Sequence, residues 1–98
     1  MSLAVEIVTP SAVAFSGDVD ELQAPGMFGE FGVLSDHAQM LAITQAGRVV
    51  LRTSEGNQWF VVGAGFAEVG PGQVTLLVDL CEEAGTVSHA TAQQDMDA

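Results

Sequence analysis

The sequence predicts an all-β domain: a two-sheet β-sandwich or flattened barrel of about eight to ten short strands, with a short C-terminal tail. Three observations predict it. Apolar residues recur in runs of four to seven that alternate or are nearly continuous. Turn residues interrupt those runs roughly every eight to twelve positions. Nothing before Glu82 keeps a helical period over several turns.

Val5-Glu6-Ile7-Val8 alternates as a first strand and is closed by Thr9-Pro10-Ser11. Val13-Ala14-Phe15 follows, with a break at Ser16-Gly17-Asp18. Val19 to Ala24 reads as one strand ending at Pro25-Gly26, but its alternation is poor and does not fix an inward face. Met40 to Thr44 is the next strand. Gly47 then introduces Arg48 to Thr53, whose two arginines, four apart, fall on one face of an extended chain. Ser54-Glu55-Gly56-Asn57 is a hairpin turn into Gln58 to Val62, where adjacent Trp59 and Phe60 must point to opposite faces. Gly65 to Val69, the turn Gly70-Pro71-Gly72, and Gln73 to Asp79 form the last pair. Eleven glycines suit so many tight turns. The character changes near Gly85, so residues 1–84 are expected to be the sandwich domain and 85–98 a flexible or short helical tail.

At 98 residues the chain is one domain, and with 48% hydrophobic residues it can build a core without staples. Cys81 is the single cysteine, so no intramolecular disulfide forms; it reads as a small buried hydrophobe. The sequence has no run near the ~20 apolar residues that span a bilayer and no visible signal peptide, so a soluble cytoplasmic protein is expected. The charge is lopsided: Arg48 and Arg52 are the only arginines, lysine is absent, and thirteen residues are acidic. Nucleic-acid binding needs cations to neutralise phosphates, and they are missing. Such a surface fits a basic or polar protein partner, and equally an excess of acid that only keeps a small protein soluble.

Catalytic signals are missing as well. His37 and His89 stand far apart and outside metal-ligand spacing, and no G-x-S-x-G elbow exists. The glycine-rich segments lack the lysine of a P-loop. No cofactor is expected. The segment Gly26-Met27-Phe28-Gly29-Glu30-Phe31-Gly32 stands out as a loop. It carries more large apolar groups than it can bury locally: one reading packs some of them inward as a plug for the sheet end, and the other makes the remainder a contact patch, since aromatic residues and Met are enriched at interfaces.

Taken in order, Phe15-Ser16-Gly17, Gln23-Ala24-Pro25-Gly26, Gly29 to Leu34 and His37-Ala38 resemble the N-terminal domain of the epsilon subunit of F-type ATP synthases. Gly63-Ala64-Gly65-Phe66-Ala67-Glu68-Val69 and Val74 to Asp79 resemble the second half of the same domain. The resemblance runs from about Val5 to Glu83, and the ordered set is more specific than any piece. Gln39 stands where the family commonly has Pro, and Ala64 where a second Gly is common. Fourteen residues follow Ala84, too few for the helical hairpin that many epsilon subunits carry, so a short form is expected.

The resemblance implies a non-catalytic β-sandwich in the central stalk, coupling the gamma subunit to the c ring during proton-driven ATP synthesis. It implies a peripheral position on the cytoplasmic face of the plasma membrane. It also implies that Glu30 lies on a ring-facing loop, with Phe31 and His37 flanking it; Met27 and Phe28 join them as candidate contacts. Two other readings compete: a small all-β ligand-binding module, and an epsilon subunit of a sodium-pumping F-type ATPase.

Overall fold

A computed structural model describes residues 2–36 and 38–88, and for 86–88 the backbone alone. Ten strands fill the described residues: β1 Leu3–Val8, β2 Val13–Val19, β3 Glu21–Gly26, β4 Gly29–Val33, β5 Met40–Thr44, β6 Gly47–Thr53, β7 Gly56–Val62, β8 Gly65–Gly70, β9 Gln73–Val78 and β10 Cys81–Ser88. They hydrogen-bond in the order β10-β7-β6-β3-β5-β8-β9-β1-β2, with β4 attached to β3. All neighbours are antiparallel except β1 and β9.

The ladder folds over at one place. β3 and β5 share a single pair, Gly26 with Thr44, whereas β5 and β8 share five. That narrow junction divides the path into a layer of β10, β7, β6, β3 and β4 and a layer of β5, β8, β9, β1 and β2. Leu22, Ala24, Val33, Val49, Leu51, Phe60 and Val62 from the first layer share one buried cluster with Leu3, Val5, Ile7, Val19, Ala67, Val69, Val74, Leu76 and Val78 from the second. The Phe15 and Phe60 rings meet edge to face across the layers, 5.6 Å between centroids. Apolar burial of this kind is the main favourable term in folding.

Where the sequence alternates cleanly the structure follows: Leu3, Val5 and Ile7 are buried in β1 while Ala4 and Glu6 are exposed. Phe60 is buried and Trp59 is not, which settles the choice that alternation left open. Arg48 and Arg52 are both exposed on β6. Arg52 Nε lies 3.4 Å from Glu21 Oε1 on β3, with both side chains partly open to solvent. We expect Glu21→Gln to cost no more than about 1 kcal/mol in urea unfolding, because exposed pairs are weak.

Three expectations are corrected. Val19 to Ala24 is not one strand: β2 ends at Val19, Asp20 intervenes, and β3 starts at Glu21. There the chain passes from one layer to the other, with the Asp20 amide donating to the Arg52 carbonyl at 2.7 Å. Val19 and Leu22 therefore point into the same core from opposite layers, which explains the poor alternation. Second, Ser16-Gly17-Asp18 is not a break, since β2 runs through it paired to β1. Third, residues 85–88 are strand and not tail. β10 continues past Gly85 because β7 offers a free ladder edge, and a bulge at Ala84 resets the register so that Gly85 faces Trp59. A side chain at 85 would meet the indole at 3.0 Å. The rest of the expected tail, 89–98, lies outside the described residues.

Candidate functional site: the β3–β4 turn and its apolar surround

Sequence reasoning made Gly26 to Gly32 a loop; the structure makes it a hairpin. β3 and β4 pair from Leu22 with Val33 to Gly26 with Gly29, leaving Met27 and Phe28 as the turn. The glycine content hides the strand, but Val33 is fully buried and anchors β4 against the core. Gly29 takes φ 128°, a region open essentially to glycine. A side chain at Gly26 would sit 2.6 Å from the Gly29 carbonyl oxygen.

Hydrogen bonds from the β5 side fix the turn. The Met27 amide donates to the Ile43 carbonyl at 3.0 Å, and the Gln45 amide to the Pro25 carbonyl at 2.8 Å. The Gln45 side-chain amide donates to the Gly26 carbonyl at 3.1 Å. The turn is therefore held where the two layers join and presents its side chains outward from a pinned backbone.

The sequence candidates divide accordingly. Phe28 is 100% exposed and Met27 54%, so the turn displays two large apolar groups to solvent. Glu30 is exposed next to them, opposite Pro25. Phe31 is half-buried and packs against the core, supporting the hairpin from below. His37 lies outside the described residues. Leu41 and Ile43 on β5 complete the patch, and together with Met27, Phe28 and Phe31 they line an open groove of about 530 Å³.

Sequence reasoning missed Leu41 and Ile43, which are 69% and 51% exposed. Met-Leu-Ala-Ile-Thr is apolar in both parities, so alternation alone cannot assign its faces. In β5 Leu41 and Ile43 face out while Met40, Ala42 and Thr44 turn inward. An exposed cluster of large apolar side chains is the informative exception to burial, because monomeric surfaces rarely carry extended ones.

Cys81 at the start of β10 is half-buried and free. Burial pushes its thiol pKa up, since desolvation disfavours the thiolate. We expect iodoacetamide alkylation of Cys81 to need higher pH than that of glutathione. A rate profile that follows glutathione would show the thiol to be fully solvated. Among the described residues no three His, Cys, Asp or Glu side chains converge as a metal site, and no helix is long and apolar enough to cross a membrane.

Residues 2–84 match the family described as the beta-sandwich domain of the ATP synthase delta/epsilon chain. The chain belongs to that family. Among relatives, the chloroplastic ATP synthase epsilon chain of Emiliania huxleyi is 37% identical over 95 residues, covering 95% of this chain and 72% of that one. The epsilon chain of Rhodopseudomonas palustris strain BisA53 is 38% identical over 93 residues, which cover 95% of this chain and 62% of the relative. That of Caulobacter vibrioides is 40% identical over 78 residues, covering 80% and 91%. The fold is shared with a chain of the Euglena gracilis mitochondrial ATP synthase structure that includes OSCP, F1 and c-ring, at TM-score 0.80 and 16% identity over 98% of this chain and 62% of that one. In this delta/epsilon-type sandwich, two of the motifs in the ordered resemblance, Gln23 to Gly26 and Gly29 to Leu34, flank the exposed Met27–Phe28 tip of the pinned hairpin.

Proposed function

We propose that the chain is a non-catalytic rotor subunit of the central stalk of an F-type ATP synthase. In this reading it binds the gamma subunit and the c ring and couples them during proton-driven ATP synthesis. It sits peripherally at the cytoplasmic face of the membrane. Family membership over residues 2–84 carries the reading, and the fixed turn with its exposed Phe28 supports it. A coupling element must resist shear, and a close-packed two-layer core deforms little.

Within this reading Met27, Phe28 and Glu30 make the ring contact, with Phe31 holding the hairpin and His37 flanking it. Burying a phenylalanine that is fully open in the free chain contributes about 1.5–3 kcal/mol to association. Glu30 supplies a carboxylate for a cationic group on the ring. We expect Phe28→Ser and Glu30→Lys each to lower co-purification with the c ring by about tenfold or more, as at interface hot spots. The thermal midpoint of the isolated chain should stay within a degree or two, since both side chains point to solvent. Undiminished co-purification of both variants would remove the turn from the contact. Co-expression with the cognate gamma subunit, followed by size-exclusion chromatography, tests the stalk assignment itself.

A further inference from the structure

We propose that Met27 is an oxidation site through which a peroxide controls assembly of the free chain: conversion of its thioether to a sulfoxide switches the hairpin tip from an apolar to a polar contact. The inference rests on the stalk reading, in which this tip meets the c ring, and adds a means of regulating that contact.

Exposure singles out Met27 among the sulfur-bearing side chains. The chain has four methionines and one cysteine. Met1 and Met96 lie outside the described residues. Met40 is half-buried and packs against the core. Cys81 is half-buried too, and desolvation favours its thiol over the thiolate, which is the form that attacks peroxides. Met27 is 54% exposed at the end of the hairpin, the most open sulfur side chain among the described residues. A thioether has no proton to lose before it reacts, so access governs its rate.

The oxidant is hydrogen peroxide or an organic hydroperoxide. A lone pair on Met27 Sδ attacks one peroxide oxygen, and an S–O bond forms as the O–O bond breaks. The displaced hydroxide or alkoxide takes up the proton left on the transferred oxygen and departs as water or alcohol. The sulfur loses an electron pair, and the peroxide is reduced by it. A polar, chiral group now stands where a flexible apolar one stood.

The surroundings turn that change into a lost contact. Met27 shares its groove with Phe28, Glu30, Phe31, Leu41 and Ile43, of which four are hydrocarbon and the fifth presents a carboxylate. None offers the sulfoxide oxygen a hydrogen bond, so its donors come from water, and a partner that covers the tip strips them away. Nor does the turn absorb the change. The Met27 amide donates to the Ile43 carbonyl at 3.0 Å and the Gln45 amide to the Pro25 carbonyl at 2.8 Å, which holds the oxidised side chain outward. Once the tip is seated the thioether is covered, so control falls on the unassembled chain.

Full-length chain is treated with hydrogen peroxide at neutral pH, and oxygen uptake is mapped by peptide mass spectrometry. Co-purification with the cognate c ring and gamma subunit is measured before and after. Met27 is expected to oxidise at least about tenfold faster than the core-packed Met40. The oxidised chain should lose about tenfold or more in co-purification, like an interface hot-spot variant. Methionine sulfoxide reductases, one for each sulfur epimer, restore it. Met27→Gln, with a polar amide at the tip, copies the loss without peroxide. Met27→Leu, compared with its own untreated sample, loses nothing. A thermal midpoint unchanged by oxidation shows that the fold is kept. Untreated wild type that fails to join the ring and gamma overturns the stalk reading. Wild type that joins them and keeps its binding once Met27 carries the oxygen overturns this inference alone. So does oxidation of Met27 no faster than that of Met40, or an equal peroxide-induced loss in Met27→Leu, which would move the effect to another sulfur.

Discussion

Phe60→Ala is expected to destabilise the chain by about 3–5 kcal/mol, the usual cost of removing a buried aromatic from a core. Phe60 is 3% exposed and stands on β7 in one layer, with its ring edge-to-face on Phe15 of β2 in the other. Truncation removes both the apolar surface it buries and its contacts across the gap between layers. The rigid ladders on either side prevent the gap from closing, so a cavity remains. Domains of this size are stable by only about 5–15 kcal/mol, so the variant keeps a small margin or none. Urea unfolding followed by Trp59 fluorescence measures the loss, because the indole lies on the same strand. A double-mutant cycle with Phe15→Ala should return a coupling of about 0.5–1.5 kcal/mol for the ring pair. A loss below 1 kcal/mol for Phe60→Ala would show that the layers can collapse onto each other.

How far the sequence alone disclosed this architecture varies by strand, for physical reasons. β1 was readable because its two faces differ in chemistry, with Leu3, Val5 and Ile7 against Ala4 and Glu6. β4 was not, because Gly29 and Gly32 argue for a loop; pairing with β3 and burial of Val33 override their low strand preference. β10 was hidden for a different reason. Glu82, Glu83 and Ala84 are exposed, and the strand exists because β7 leaves a row of backbone groups unpaired, which no local pattern announces. The division of Val19 to Ala24 depends on the chain changing layers at Asp20, a purely tertiary event.

The candidate site was half visible. Met27 and Phe28 stood out because a glycine-bounded turn cannot bury two large side chains, and both are exposed. Phe31 came from the same segment but serves mainly as support, since strand alternation turns it toward the core. Leu41 and Ile43 escaped notice because β5 carries apolar residues on both faces. Faces of such strands are set by register, and register is decided by neighbours distant in sequence.

Register also decides the second large effect. Gly65→Ala should destabilise the chain by about 3 kcal/mol or more, at or beyond the upper end of ordinary overpacking. Gly65 opens β8 between Thr44 of β5 and Val78 of β9, at the point where the layers are joined. A methyl group there would overlap the Leu77 carbonyl oxygen and come within 2.8 Å of Val78 Cα. Both obstacles are backbone, so no rotamer change can relieve them. Either β9 moves away from β8 and lengthens its ladder bonds, or Gly65 leaves the strand and frees Thr44 from its pair. The first route pulls Val78 and Leu76 out of the core, and the second loosens β5 beneath the Met27–Phe28 turn. At about 4–8 °C per kcal/mol for a domain this small, the thermal midpoint should fall by at least about 12 °C. Ala64→Gly next door is the control: Ala64 is exposed, and its loss should shift the midpoint by only a few degrees. If Gly65→Ala melts like the wild type, β8 and β9 do not approach as closely as the ladder requires, and the outward register of Phe66 and Leu77 falls with them.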